Sequence, residues 1–150
     1  TGAEAMQKNL ESLGEIMYTK DEINYANKIL KETGKPQIGL NGKVTPLQET
    51  LPAQGGSTDV GDVSQVVPTI RMSATVASDG GPWHSWAVVA CTGMSIGHKG
   101  MIYAAKALSM TMADLYKDPK LVEAVKNDYR KNKSSKPYKP RILPGPPSLE

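Results

Sequence analysis

The sequence predicts an α/β domain, an incomplete α/β sandwich with helices packed on a small sheet. Three observations carry that expectation. Between residues 66 and 77, Ile70, Met72, Ala74 and Val76 alternate with Arg71, Ser73 and Thr75, the period of a half-buried strand. Residues 86–92, WAVVACT, form a short and nearly continuous apolar run, as expected of a strand buried on both faces. Four other stretches repeat apolar residues at helical spacing.

The elements follow in order. Residues 3–17 read as a helix, with Met6, Leu10, Leu13 and Met17 on one face and Gly14 weakening its last turn. Thr19 and Glu22 form a capping box that opens a second helix over 20–33, which buries Ile23, Ala26 and Leu30. Gly34 and Pro36 stop it. Residues 35–56 show no sustained period and read as a long loop that lines a cleft or wraps a missing surface. Pro68 puts the start of the first strand at an edge or end. A long helix over 97–116 carries a stripe of Met101, Ala105, Leu108, Met112 and Leu115, expected to fill the core. Asp118 and Pro119 cap the last helix, 119–131. A proline-rich tail occupies 132–150, after a first domain over 1–131.

Composition narrows the function classes. The chain of 150 residues suits one domain, and its single cysteine cannot form an internal disulfide. A reducing, cytoplasmic setting is expected. The apolar runs are too short to cross a bilayer and the opening residues lack a signal-peptide pattern, so no membrane partner is expected. The first residue is Thr1 rather than Met, so a piece of something longer is expected. Residues 117–141 hold nine Lys/Arg against three Asp/Glu. They carry no nucleic-acid motif, and a solvated helix face leading into a linker explains the charge without a nucleic-acid partner.

Chemistry-bearing residues gather between Gly55 and Gly100. Ser57, Asp59 and Asp62 lie in a turn, with the carboxylates three apart, which suits either substrate or metal contact or a simple helix cap. His84 lies between Trp83 and Trp86 after a Gly-Gly-Pro loop. Imidazole is the commonest side-chain metal ligand, and apolar neighbours would dry such a site. A loop histidine bonded to backbone, with tryptophans that merely pack, accounts equally for the pattern. His98 opens the long helix, where the helix dipole favours a neutral ring. Cys91 reads as a buried structural thiol.

Three motifs, GGSTDVGDVS, GPWHSW and SIGHKGMIYAAKAL, resemble in order and separation the C-terminal part of the catalytic domain of an M20-family metal-dependent amidohydrolase of the aminobenzoyl-glutamate hydrolase type. The resemblance implies a two-metal amidohydrolase/peptidase domain with two divalent ions, zinc or manganese. It implies a small-molecule amide substrate, an acyl-amino acid or an aminobenzoyl-glutamate-like compound. His84 matches the family's last metal ligand. Ser57, Asp59 and Asp62 match a segment lining the active site, and His98 matches a histidine of the subgroup, as substrate or second-shell residues. The family's other ligands and its general base have no counterpart: there is no HxD pair and no Glu-Glu pair. One matched histidine cannot hold two metals. No catalytic residue is therefore expected within this segment, which should be inactive alone and need the remaining N-terminal part of the enzyme as partner. An unpaired sheet edge or uncovered apolar face, and hence a homo-oligomer, is also expected. A non-catalytic α/β protein-interaction module is the competing reading.

Overall fold

The computed structural model describes residues 1–48, 58–135, 137–140 and 145. Those residues form six helices: α1 (Gly2–Leu13), α2 (Lys20–Glu32), α3 (Val60–Val66), α4 (Trp86–Thr92), α5 (Ser95–Lys117) and α6 (Pro119–Asn132). They contain no strand. The α/β class expected from the sequence is thus wrong, and both expected strands have a physical reason for their fate.

Residues 86–92 are helical. The Ser85 hydroxyl accepts from the Ala87 amide at 3.3 Å and donates to the Pro82 carbonyl at 2.6 Å, which fixes a helix start. Ala87 and Cys91, four apart, turn inward. A short apolar run fits a buried helix as well as a buried strand, and the cap decides it.

Residues 67–77 fail differently. Residues 60–66 are α3, which overlaps the expected strand start at 66. Val67 is extended, residues 68–76 have neither helix nor strand, and sidedness follows the alternation to residue 74: Met72 and Ala74 are half-buried while Arg71 and Ser73 are exposed. A strand partner is what it lacks. Among the described residues no backbone–backbone hydrogen bond reaches 68–77. The segment is held by side chains instead: the Tyr18 hydroxyl donates to the Thr75 carbonyl at 3.2 Å, and the Thr75 hydroxyl donates to the Asn41 carbonyl.

Helix boundaries also shift. α1 ends at Leu13 because Gly14 turns left-handed (φ 73°), and the Ile16 amide then bonds the Gly42 carbonyl at 2.8 Å. α2 begins as the capping box predicts: the Thr19 hydroxyl accepts from the Glu22 amide and the Glu22 carboxylate accepts from the Thr19 amide.

α1 packs on α5, α2 on α4, α4 on α5, and α5 on α6. The core joins Ala26 and Ile29 of α2 to Ala87 and Cys91 of α4 and Ile96 of α5, with Tyr18, Tyr25 and Leu40 against it. α5 contributes its small face. Gly97, Gly100, Ala107 and Thr111 are buried, and a Cβ on Gly100 would strike the Thr75 carbonyl. That absence of a side chain lets 67–77 lie on the helix. Across the α1–α5 contact, the Asn9 amide donates to Thr111 Oγ1 at 3.0 Å and to Asp114 Oδ2 at 2.8 Å. The expected stripe does not fill the core: Met101, Leu108 and Met112 are exposed. The small-residue face meets α1, Thr92 and residues 75–76, and the bulky face is turned outward.

Candidate functional site

The loop before α4 is built from backbone constraints. The Asp79 amide bonds the Gly39 carbonyl at 2.9 Å, Gly80 is left-handed (φ 72°), and the Gly81 amide bonds the Ser78 carbonyl at 3.3 Å. His84 itself has φ 58°, alone among described non-glycine residues in that region. Such a conformation costs on the order of 1 kcal/mol and is held by the turns on either side of it. The imidazole is exposed, and no described hydrogen bond reaches its ring. Trp83 and Trp86 are 70% and 55% exposed, so they flank the histidine without drying it.

The other expected site residues lie elsewhere. Ser57 falls outside the described residues. Asp59 stands at the N-cap position before α3, but its side chain makes no capping bond. Asp62 accepts from the Tyr138 hydroxyl at 2.9 Å, which raises the tyrosine pKa by stabilising its neutral donor form. His98 is exposed on the first turn of α5 and borders a groove of about 490 Å³ with Leu13, Met17, Ile102, Tyr103 and Lys106. Among the described residues no three His, Cys, Asp or Glu side chains gather closely enough to hold a metal ion. A second groove, about 660 Å³, is lined by α1, residues 42–48 and residues 71–75, Arg71 among them.

The most tightly organised polar group is one that the sequence does not mark as a site. Glu22 is 8% exposed. Its carboxylate accepts from Ser95 Oγ at 2.6 Å, Lys99 Nζ at 2.6 Å and the Thr19 amide at 2.7 Å. Lys99 also donates to the Met17 carbonyl at 2.9 Å and lies 5.6 Å from the centre of the Tyr18 ring. Burial alone pushes the Glu22 pKa up, but the bonds from Lys99, Ser95 and Thr19 outweigh it and hold the value at about 2. The group stays ionised at neutral pH and is fully engaged, which suits a clamp between α2 and α5 and not an acid or base. The capping box locates half of the clamp. Ser95 and Lys99, four apart on one helical turn, are the available signal for the other half.

No described helix is long and apolar enough to cross a membrane. No family model matches the chain, and no solved structure matches it. Over 99 residues the chain is 33% identical to a p-aminobenzoyl-glutamate hydrolase subunit of Escherichia coli (strain K12), a stretch covering 66% of this chain and 21% of that protein. The chain thus spans about one fifth of the length of the curated relative it matches, and is similar to part of a hydrolase subunit.

Proposed function

We propose that the chain is the C-terminal segment of the catalytic domain of an M20-family amidohydrolase, and that the longer protein hydrolyses the amide bond of an acyl-amino acid or an aminobenzoyl-glutamate-like substrate. The observation that carries this reading is the 33% identity to a hydrolase subunit whose printed name includes p-aminobenzoyl-glutamate. The motifs around His84 and His98 point the same way.

In this reading His84 donates one imidazole nitrogen to one of two divalent ions, zinc or manganese. The donor set of the described residues fits one ligand and not a complete centre. The remaining ligands and the general base come from the rest of the polypeptide. The bound metals would polarise the amide carbonyl and supply a nucleophilic water. The chain's own part is to present His84. The left-handed backbone at His84 projects the ring into solvent from a loop anchored to the Gly39 carbonyl and to the start of α4. Hydrolysis adds water across the amide, with the new C–O bond on the acyl side and the proton on the departing amine.

The longer protein, assayed on acyl-amino acids and on p-aminobenzoyl-glutamate, tests the reading. It should hydrolyse at least one of them, and His84→Ala should abolish the activity. Wild-type rates in His84→Ala would rule out the ligand role.

A further inference from the structure

α3 has little of its own to hold it. It is seven residues long, too short to be stable alone, and Gly61 weakens it further. Asp59 makes no capping bond, and no residue of the helix is buried. Two hydrogen bonds tie it to the C-terminal part of the chain. The Tyr129 hydroxyl, on the last turn of α6, donates to the Gln65 carbonyl at 2.7 Å. That carbonyl lies in the last turn of α3, where no intrahelical partner exists for it. The Tyr138 hydroxyl, in the tail, donates to Asp62 Oδ1 at 2.9 Å, on the first turn. One bond therefore fixes each end of α3. α6 itself packs on α5, so the two tyrosines carry the position of the long helix over to α3. Among the described residues no other hydrogen bond reaches the Asp62 carboxylate, and its Oδ2 is left for another donor.

We propose that Tyr129 and Tyr138 are positioning residues: together they hold α3 so that Asp62 presents Oδ2 to a donor group of the substrate. The proposal rests on the amidohydrolase reading, in which the turn carrying Asp62 lines the site. A carboxylate oxygen only accepts, so the group it takes is an N–H or O–H of the substrate. The tyrosines act through Asp62 and not on the reacting atoms.

The test uses the longer protein with Tyr129→Phe, Tyr138→Phe and the double variant, in which each ring stays and a hydroxyl is lost. Amide hydrogen exchange, read by mass spectrometry on the peptide spanning residues 60–66, should quicken about three- to tenfold for each lost bond. Exchange in α2 and α5 and the melting temperature should not change. On an acyl-amino acid or p-aminobenzoyl-glutamate, Tyr138→Phe should raise KM about fivefold and leave kcat within about twofold. In an Asp62→Ala background Tyr138→Phe should add nothing. Tyr116→Phe, at an exposed tyrosine of α5, should alter neither exchange nor KM. Unchanged exchange in the double variant would overturn the proposal. A lowered melting temperature with KM unmoved would reduce the tyrosines to scaffold and overturn it as well. A wild type inactive on all of these substrates would fail the amidohydrolase reading; an active wild type with an unchanged KM in Tyr138→Phe would fail this proposal alone.

Discussion

At Glu22 a carboxylate is withdrawn from water and given a lysine, a hydroxyl and a backbone amide. At His84 an imidazole stays in water on a left-handed backbone, and no described bond holds its ring. Both residues lie close to the start of a helix, but only His84, between Trp83 and Trp86, stands out in the sequence as a polar residue among apolar ones. The difference is where their partners are. Those of Glu22 all lie within this chain, on α5 and on the segment between α1 and α2. The His84 ring has none among the described residues. A polar group whose partners are all at hand folds into a clamp. One without them stays available for a ligand or for another part of a polypeptide.

The contrast can be broken first at the clamp. Glu22→Gln keeps the shape but removes the charge facing Lys99, and should lower stability by about 3 kcal/mol in urea unfolding. The sign of the pH dependence follows from a folded pKa of about 2 against an ordinary 4.5. A depressed carboxylate stabilises fully above about 4.5, and that contribution is lost as pH falls towards about 2. Wild-type stability should decline across this window, and Glu22→Gln should decline less.

A smaller effect is expected where α5 receives residues 67–77. Gly100→Ala gains helix propensity, yet its Cβ would strike the Thr75 carbonyl and come within 2.8 Å of Val76 Cγ1. A net loss of about 1–2 kcal/mol is expected by the same measurement. An unchanged midpoint would mean that the extended segment moves off the helix at little cost.

At the open side the effect should be smallest. His84→Ala should shift stability by no more than about 0.5 kcal/mol, since the ring packs against nothing that folding needs. A loss above about 2 kcal/mol would show that the ring is part of the scaffold, and the contrast with Glu22 would collapse.

What the sequence reveals follows the same division. Local signals are legible: the Thr19–Glu22 capping box, the Gly34 stop, the Asp118 cap and the sidedness of residues 70–74 agree with the structure, whereas Gly14, expected only to weaken the last turn of a helix reaching Met17, ends α1 at Leu13. Signals that need a distant partner are not. The alternation at 70–76 says which residues share a side, not whether a neighbouring strand exists to pair with. The WAVVACT run is ambiguous by length, and the Ser85 hydroxyl that decides it acts through a cap that the apolar pattern does not show. The stripe on α5 is legible as apolar, but its direction depends on the smaller opposite face, where Gly100 meets residues 75–76 and Thr111 meets α1. His84 stands out in the sequence, and its exposed, left-handed setting is compatible with a ligand. Trp83 and Trp86 are exposed in this chain, so any drying of His84 needs the rest of a longer polypeptide.

The central claim is that this chain supplies one metal ligand, His84, to a centre completed from outside it. The most direct test is metal stoichiometry of the longer protein, purified with zinc or manganese and analysed by inductively coupled plasma mass spectrometry, beside its His84→Ala variant. The account predicts that the variant loses metal while its melting temperature without metal stays unchanged. It predicts further that the 150-residue chain alone shows no saturable zinc binding by calorimetry. Full metal occupancy in His84→Ala, or tight zinc binding by the isolated chain that His84→Ala abolishes, would contradict it.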